Sequence, residues 1–596
     1  MTDSQITHSP VAYFQLLPDG RGQRLFRGGD SEPVRLALPP DTDAGSGDIL
    51  IREGDSLHCI ARDGSVQARL YRLLDEAGLD PAWSAAALRE TAQWQAAPGI
   101  DDPALQDLTG LAFVTIDNPA SRDLDQAMYL CREDDGYRVV YALADASYYA
   151  PVGSALFRES VQRGASYYLP GFSVPMLPPA LSEDLVSLNA GVARRAVVID
   201  IRLDGDARVR STALIRARIR SRAKLSYPGV QALHDDPASS PLRGQDYTDT
   251  LMLLREVGEK RIARARERNV VQFERLSAEV TPCPQENRLE LRRGERVECE
   301  NWNEQISLLC NHQGAVMLAQ ALGNPQIQPV FRIHRAPEAQ RLRQFSAMLD
   351  GLIDLHKLDP ALWRWRWRDG EQGPRETLAA YLRRLPRSGP TQAVFETISH
   401  QMRMLNSASE FTAEYGGHHA LQLDGYARLS SPMREVAGIF THKELAELCF
   451  DGVEPQAPAV DLSLRDEVVA AANRARQKQK WLDREVFRLA IHDLLVGDLD
   501  LAPAARPPRQ GTVVEIRRSG AMVRLDSPPV VIKVYREALE QALGVVLTAD
   551  TAATVLQEDK PGGRVVIGLG QRITLSTHAF EENRGHWILL PAATGN

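Results

Sequence analysis

Between about residues 10 and 75, short apolar runs alternate with Gly, Pro and Asp, as in YFQLLPDGRG, VRLALPPDTDAGSGDILI and DSLHCIARDGSVQARLYRLL. Short strands punctuated by turn signals predict a small OB-like, cold-shock-like β-barrel over 1–75. From Leu73 to Gln95 the apolar spacing becomes helical, broken at Gly78 and Pro81, which predicts a helical linker over 76–107. Strand-like runs (LAFVTID, YRVVYALAD, AVVIDIRL) and long helical ones (EQISLLCNHQGAVMLAQAL, EAQRLRQFSAMLDGLIDLH) then mix, so 108–500 reads as a large α+β unit, the main domain. It closes on a long helix over 465–495. After the Pro-rich joint LAPAARPPRQ (501–510), strand alternation returns in GTVVEIRRSGAMVRL and GQRITLSTHAF, predicting a C-terminal OB-fold barrel over 508–596. The expected fold class is thus multidomain α+β, a mixed core between two β-barrels.

Composition narrows the function classes. The 596 residues are 43% hydrophobic and 25% charged, ordinary for folded domains. No apolar run approaches about 18 residues and the N-terminus MTDSQITHSP has no signal-peptide pattern, so neither a membrane span nor secretion is expected. The six cysteines are scattered without a CxxC pair, which argues against a zinc site or disulfide framework and fits a cytoplasmic protein. With a net charge of −8, any nucleic-acid contact must be local.

The chemistry concentrates in LTGLAFVTIDNPASRDLDQAMYL (108–130). An apolar strand ends in Asp117, Asn118 and Pro119 turn the chain, and Asp123 and Asp125 follow two residues apart. In extended chain, i and i+2 face the same side, so Asp117, Asp123 and Asp125 are expected to converge, with Leu124 on the opposite face. Three carboxylates that close repel unless a cation neutralises them, and hard oxygen ligands select Mg²⁺ or Mn²⁺. The competing reading is a turn whose Asp side chains only cap backbone donors. A second pattern is IRARIRSRAK, where Arg216, Arg218, Arg220, Arg222 and Lys224 recur at every second position. On a strand they form a basic stripe suited to RNA phosphates, or a solvated edge protected by charge.

The segments Thr115-Ile116-Asp117 and Asp123-Leu124-Asp125-Gln126-Ala127 resemble the acidic signature of the RNB catalytic domain in ribonuclease II and ribonuclease R exoribonucleases. The likeness continues through RGASYYLPGFSVPMLPPALSEDLVSLNAGVARRAVVIDI (163–201), RAKLSYPGVQ (222–231) and GGHHALQLDGYARLSSPMREVAGIFTHKEL (416–445), in the family's order. The resemblance implies an enzyme that degrades single-stranded RNA from 3′ to 5′, releases nucleoside 5′-monophosphates, uses Mg²⁺ (or Mn²⁺) and works as a monomer. It implies metal binding by Asp117, Asp123, Asp125 and the residue at Gln126, and catalytic roles for Asp125 and for Arg434, which would contact the phosphate near the scissile bond. Tyr168 and Phe273 occupy the places of base-stacking aromatics, and Glu304 that of a glutamate near the terminal ribose.

Two departures qualify this. The last acid of the family's D-x-D-D ending is Gln126 here, which brings no negative charge. After SSPMR, where the family has an aromatic residue and an aspartate, this chain has Val436 and Gly438. The first suggests weaker binding of one metal and the second a change in the groups that orient the site, and they leave open an alternative: a catalytically impaired RNB-family RNA-binding protein with a protective or regulatory role. There is also room for only one barrel before Asp117, where better-known members carry two.

Overall fold

In the computed structural model the described residues are all except 1–10, 27–31, 37, 39–42, 274–277, 367–374, 451, 454 and 593–596. The N-terminal strands Val11–Leu16, Arg21–Arg24, Val34–Arg35, Ile49–Glu53 and Ser56–Ala61 form one antiparallel sheet, with Val11–Leu16 at its centre. Alternation works as expected: Ala12, Phe14 and Leu16 point inward while Tyr13 and Gln15 do not. The first helix starts earlier than the linker predicted from sequence. It runs Val66–Glu76, because the Ser65 hydroxyl caps the Ala68 N–H and Val66, Leu70, Leu73 and Leu74 fall on one buried stripe.

The central unit is built on a mixed sheet of strands Ala193–Leu203, Gly136–Ala144, Gln126–Glu133, Phe113–Asp117 and Val209–Ser226, with a short edge at Gln106–Asp107. The 18-residue strand Val209–Ser226 pairs antiparallel with Ala193–Leu203 and parallel with Phe113–Asp117, so the sheet returns on itself. Its register sets Ser226 opposite Asp117, and the chain then enters the helix Tyr227–Asp235. The end of the acidic strand and the start of that helix therefore share one rim. Helix Glu298–Gln320 packs on the sheet through Ile306, Leu309, Cys310, Ala315 and Leu318, all buried in the same apolar cluster as Val114, Met128 and Tyr141.

Helix Pro458–Leu495 is longer than the 465–495 predicted, with Pro458 in its first turn, where a missing N–H costs nothing. Its residues Val468, Ala471 and Ala472 join one central core and Leu482, Val486 and Ala490 another, so it braces the central unit along its length. The C-terminal module has a five-stranded sheet whose central strand Arg509–Arg517 lies between Gly520–Leu525 and Arg572–Glu581, and a three-stranded sheet, Leu547–Ala549, Val555–Glu558 and Val565–Gly568. The outer strands of the larger sheet approach each other where Tyr535 stacks on His586 at 4.0 Å. Both ends of the chain are β-rich, around an α+β centre.

Candidate active site

A polar cavity of about 370 Å³ opens at the shared rim, lined among others by Asp117, Asp125, Gln126, Tyr227, Glu304 and Arg434. Four separate stretches of chain supply these groups. The acidic loop is held from below: the Leu124 N–H donates to the Ser187 hydroxyl at 3.0 Å, and Leu124 itself is buried in the core. The Ala144 N–H donates to the Asp125 carbonyl at 2.9 Å, and pairing with Gly136–Ala144 as a strand begins only at Gln126. The 123–125 stretch therefore precedes the strand ladder, and Asp123 and Asp125 both lie near Arg434 and Tyr168. Leu124 and Asp125 are both buried, whereas Asp123 is partly exposed.

Each aspartate meets a different partner. Asp117 accepts from the Asn118 N–H at 2.7 Å and the Ser121 hydroxyl at 3.0 Å, the turn-capping role weighed above. Asp123 accepts from the Tyr168 hydroxyl at 2.5 Å, and Tyr168, on the hairpin strand Tyr167–Leu169, leaves 46% of its surface exposed. Asp125, 2% exposed, accepts from the Met433 N–H at 2.8 Å and from Arg434 Nε. Burial pushes its carboxyl up to about 6, against the opposing pull of Arg434 and the Met433 N–H. The three carboxylates do not form one compact group within 4.8 Å, although Asp123 and Asp125 both act on Arg434. Among the described residues, two groups of three ligating side chains have their donor atoms within 4.8 Å of one another, and neither contains Asp117, Asp123 or Asp125.

Gln126 also differs from expectation. Its side-chain NH₂ donates to the Ser430 carbonyl at 2.6 Å, and its oxygen accepts from the buried Tyr141 hydroxyl. Both ends of the amide are thus engaged by protein. Glu304 accepts from Arg296 at 2.6 Å on the helix wall of the cavity. Phe273 stands apart. It packs against the apolar cluster shared with the C-terminal module, under the Arg403 guanidinium at 5.7 Å, and is not among the cavity's lining residues.

The basic stripe exists as a strand, with Ala217 and Ile219 turned into the core. Its charges are largely engaged. Arg218 pairs with Asp107 at 2.7 Å, Arg222 with Asp246 at 3.2 Å, and Arg216 lies over the Phe450 ring at 4.9 Å. Arg220 is exposed. Lys224 has a use that sequence reasoning missed: its ammonium donates to the Pro119 carbonyl at 2.9 Å and to that of Ser121, fixing the turn after Asp117. Asn311 was missed too. Fully buried, its oxygen receives the Leu429 and Ser430 N–H groups at 2.8 and 3.0 Å, and its NH₂ reaches the Tyr426 and Ser430 hydroxyls. A lone Asn inside the apolar run SLLCNHQGA was the available signal.

The model of the RNB domain matches residues 105–451, more than half of the chain. The chain belongs to the RNB family. Ribonuclease R of Mycoplasma pneumoniae is 27% identical over 351 residues, covering 58% of this chain and 45% of that protein. Exoribonuclease 2 of Proteus mirabilis is 27% identical over 436 residues, covering 71% and 61%. This RNB chain therefore matches between about half and two-thirds of the length of these relatives. In shape it is similar to Mycoplasma genitalium RNase R, solved in complex with ribose-methylated single-stranded RNA, with a TM-score of 0.78 at 18% identity over 98% of this chain and 89% of that one. At that identity the likeness speaks to the fold. No described helix is long and apolar enough to cross a membrane.

Proposed function

We propose that this RNB protein is a hydrolytic exoribonuclease that shortens single-stranded RNA from the 3′ end and releases nucleoside 5′-monophosphates, as a cytoplasmic monomer. The observation that carries this reading is the pairing of Asp125 with Arg434 on the wall of a polar cavity that also presents Asp117 and Glu304. Asp125 takes only the Nε of Arg434, which leaves the two terminal nitrogens of the fork to meet a phosphate. Held in place before substrate arrives, such a donor costs no reorganisation when charge develops on the phosphoryl oxygens.

The donor set fits a hard divalent cation, with fewer protein ligands than the family signature provides. Asp117 and Asp123 each have one carboxylate oxygen engaged by protein and are the residues that would hold Mg²⁺ or Mn²⁺. Such an ion, when bound, supplies an activated water and neutralises the nonbridging oxygens. Asp125 orients Arg434 and offers its remaining lone pairs to the water proton. Tyr168, tied to Asp123 yet exposed, is positioned to present its ring to a terminal base.

The test is incubation of 5′-labelled single-stranded RNA with Mg²⁺ or Mn²⁺, beside Asp125→Asn. A ladder shortening from the 3′ end, mononucleotide product and loss of both in the variant are expected. Gln126 and Gly438 favour a second reading, an RNA binder without turnover. Unshortened RNA that still shifts on a gel would establish it.

A further inference from the structure

We infer that Gln126 is a positioning residue and not a metal ligand: the bridge from Tyr141 through Gln126 to Ser430 holds the turn that presents Arg434 to Asp125. The inference deepens the nuclease reading and rests on it for the role of Arg434.

An amide has one donor end and one acceptor end, and here each has a fixed protein partner. Tyr141, fully buried on strand Gly136–Ala144, donates to the Gln126 oxygen, and the Gln126 NH₂ donates to the Ser430 carbonyl at 2.6 Å. A carboxylate in the same place cannot make the second bond, because its oxygens would face a carbonyl with no proton between them. The neutral amide thus suits this geometry, and an ionised Asp or Glu does not.

Ser430 opens the turn whose later members do the work. Met433 and Arg434 both donate to Asp125, and the Arg434 and Glu435 N–H groups return to the Ser431 carbonyl at 3.2 and 3.0 Å. The turn is gripped from the other side by Asn311, and Ser307 reaches the Ser430 hydroxyl at 3.0 Å. Gly438 belongs to the same device. It sits in helix Val436–Cys449, where an added Cβ would stand 2.9 Å from Pro432 Cα and 3.0 Å from the Ser431 carbonyl oxygen. Only a residue without Cβ lets that helix lie this close to the turn. The two departures from the family pattern therefore meet the same turn: Gly438 lies against Ser431 and Pro432, and the Gln126 amide reaches Ser430.

Three variants separate a bridge from a ligand: Gln126→Glu, Gln126→Leu and Tyr141→Phe. Three readouts apply to the full-length protein: Mn²⁺ affinity by calorimetry, the ¹⁵N-arginine Nε–H resonance of Arg434 assigned through Arg434→Lys, and kcat on single-stranded RNA. The bridge predicts that all three variants move the Arg434 resonance, keep the Mn²⁺ Kd within about twofold and lower kcat by about 10- to 100-fold, as misplacement of a catalytic group by about 1 Å does. A ligand role predicts the opposite pattern: Gln126→Glu binds Mn²⁺ more tightly, Gln126→Leu more weakly, and Tyr141→Phe behaves as wild type. That pattern overturns the inference, as does an Arg434 resonance unmoved in all three proteins, whatever the metal does. Tyr141→Phe leaves Gln126 intact and guards against a variant that fails to fold. If the wild type cuts no RNA, the nuclease reading falls, while the resonance and Mn²⁺ readouts still decide between bridge and ligand.

Discussion

Two sets of three carboxylates among the described residues have opposite fates. Glu444, Glu447 and Asp461 converge around their own cation, the Lys443 ammonium, which contacts them at 2.8, 3.0 and 2.7 Å. Glu444 and Asp461 are fully buried, and the Glu444 second oxygen accepts from the Gln328 N–H at 2.5 Å. Asp117 and Asp125 instead line an open cavity and Asp123 is held beside it by Tyr168, each with a separate partner, and the Arg434 guanidinium offers nitrogens to whatever enters. The set that has the compactness of a metal site already holds a cationic side chain at its centre, and it joins helix Val436–Cys449 to helix Pro458–Leu495. Compactness alone does not identify a reactive centre. What distinguishes one is perturbed charged groups facing an open volume.

The largest expected break in the comparison is between Asp125→Asn and Asp461→Asn. The first should lower RNA cleavage by at least about 10³-fold, since it turns one of the two oxygens that accept from Met433 and Arg434 into a donor and removes the buried charge beside the phosphate. The second should leave turnover per folded molecule within about twofold, both read in the same 5′-label assay. Next comes Lys443→Met, which leaves three buried carboxylates without their counter-charge. A loss of about 3–5 kcal/mol in urea unfolding is expected, with kcat of the folded fraction unchanged. A loss of kcat at full stability would show that the two acidic sets are coupled. Arg434→Lys follows, at about 10²-fold in kcat, because a point ammonium cannot hold Asp125 through one nitrogen and a phosphate through two others.

The smallest effect concerns pH. Burial raises the Glu444 carboxyl to about 7 from an ordinary 4.5, against the pull of Lys443. The folded state therefore binds more protons than the unfolded chain between those values, and stability declines as pH rises through that window. The decline should be at most about 3 kcal/mol. Glu444→Gln should flatten it in urea midpoints taken at pH 5 and pH 8. An unchanged slope would mean that Glu447, whose carboxyl burial also raises, carries the proton instead.

Much of this site was legible in the chain itself. Asp117, Asp125, Gln126, Glu304 and Arg434 line one cavity, although Arg434 lies more than three hundred residues beyond Asp117. The basic strand, the long helix and the β-rich ends were legible from periodicity. Phe273 was not, because an aromatic beside a base and one beside a barrel core carry the same local pattern. The engagement of Arg218 and Arg222 was equally hidden, since Asp107 and Asp246 are far from them in sequence.

Residue type and order therefore determined which chemical groups this protein possesses, and their agreement with the RNB pattern determined its family. Whether three acids face a common point, whether an amide oxygen is offered to a cation or to a tyrosine, and which arginines remain available were decided only when distant segments packed. The reason is that a carboxylate, an amide and a guanidinium each satisfy several partners equally well in isolation. Burial removes water as the alternative and leaves only the partner that the fold brings within hydrogen-bond reach.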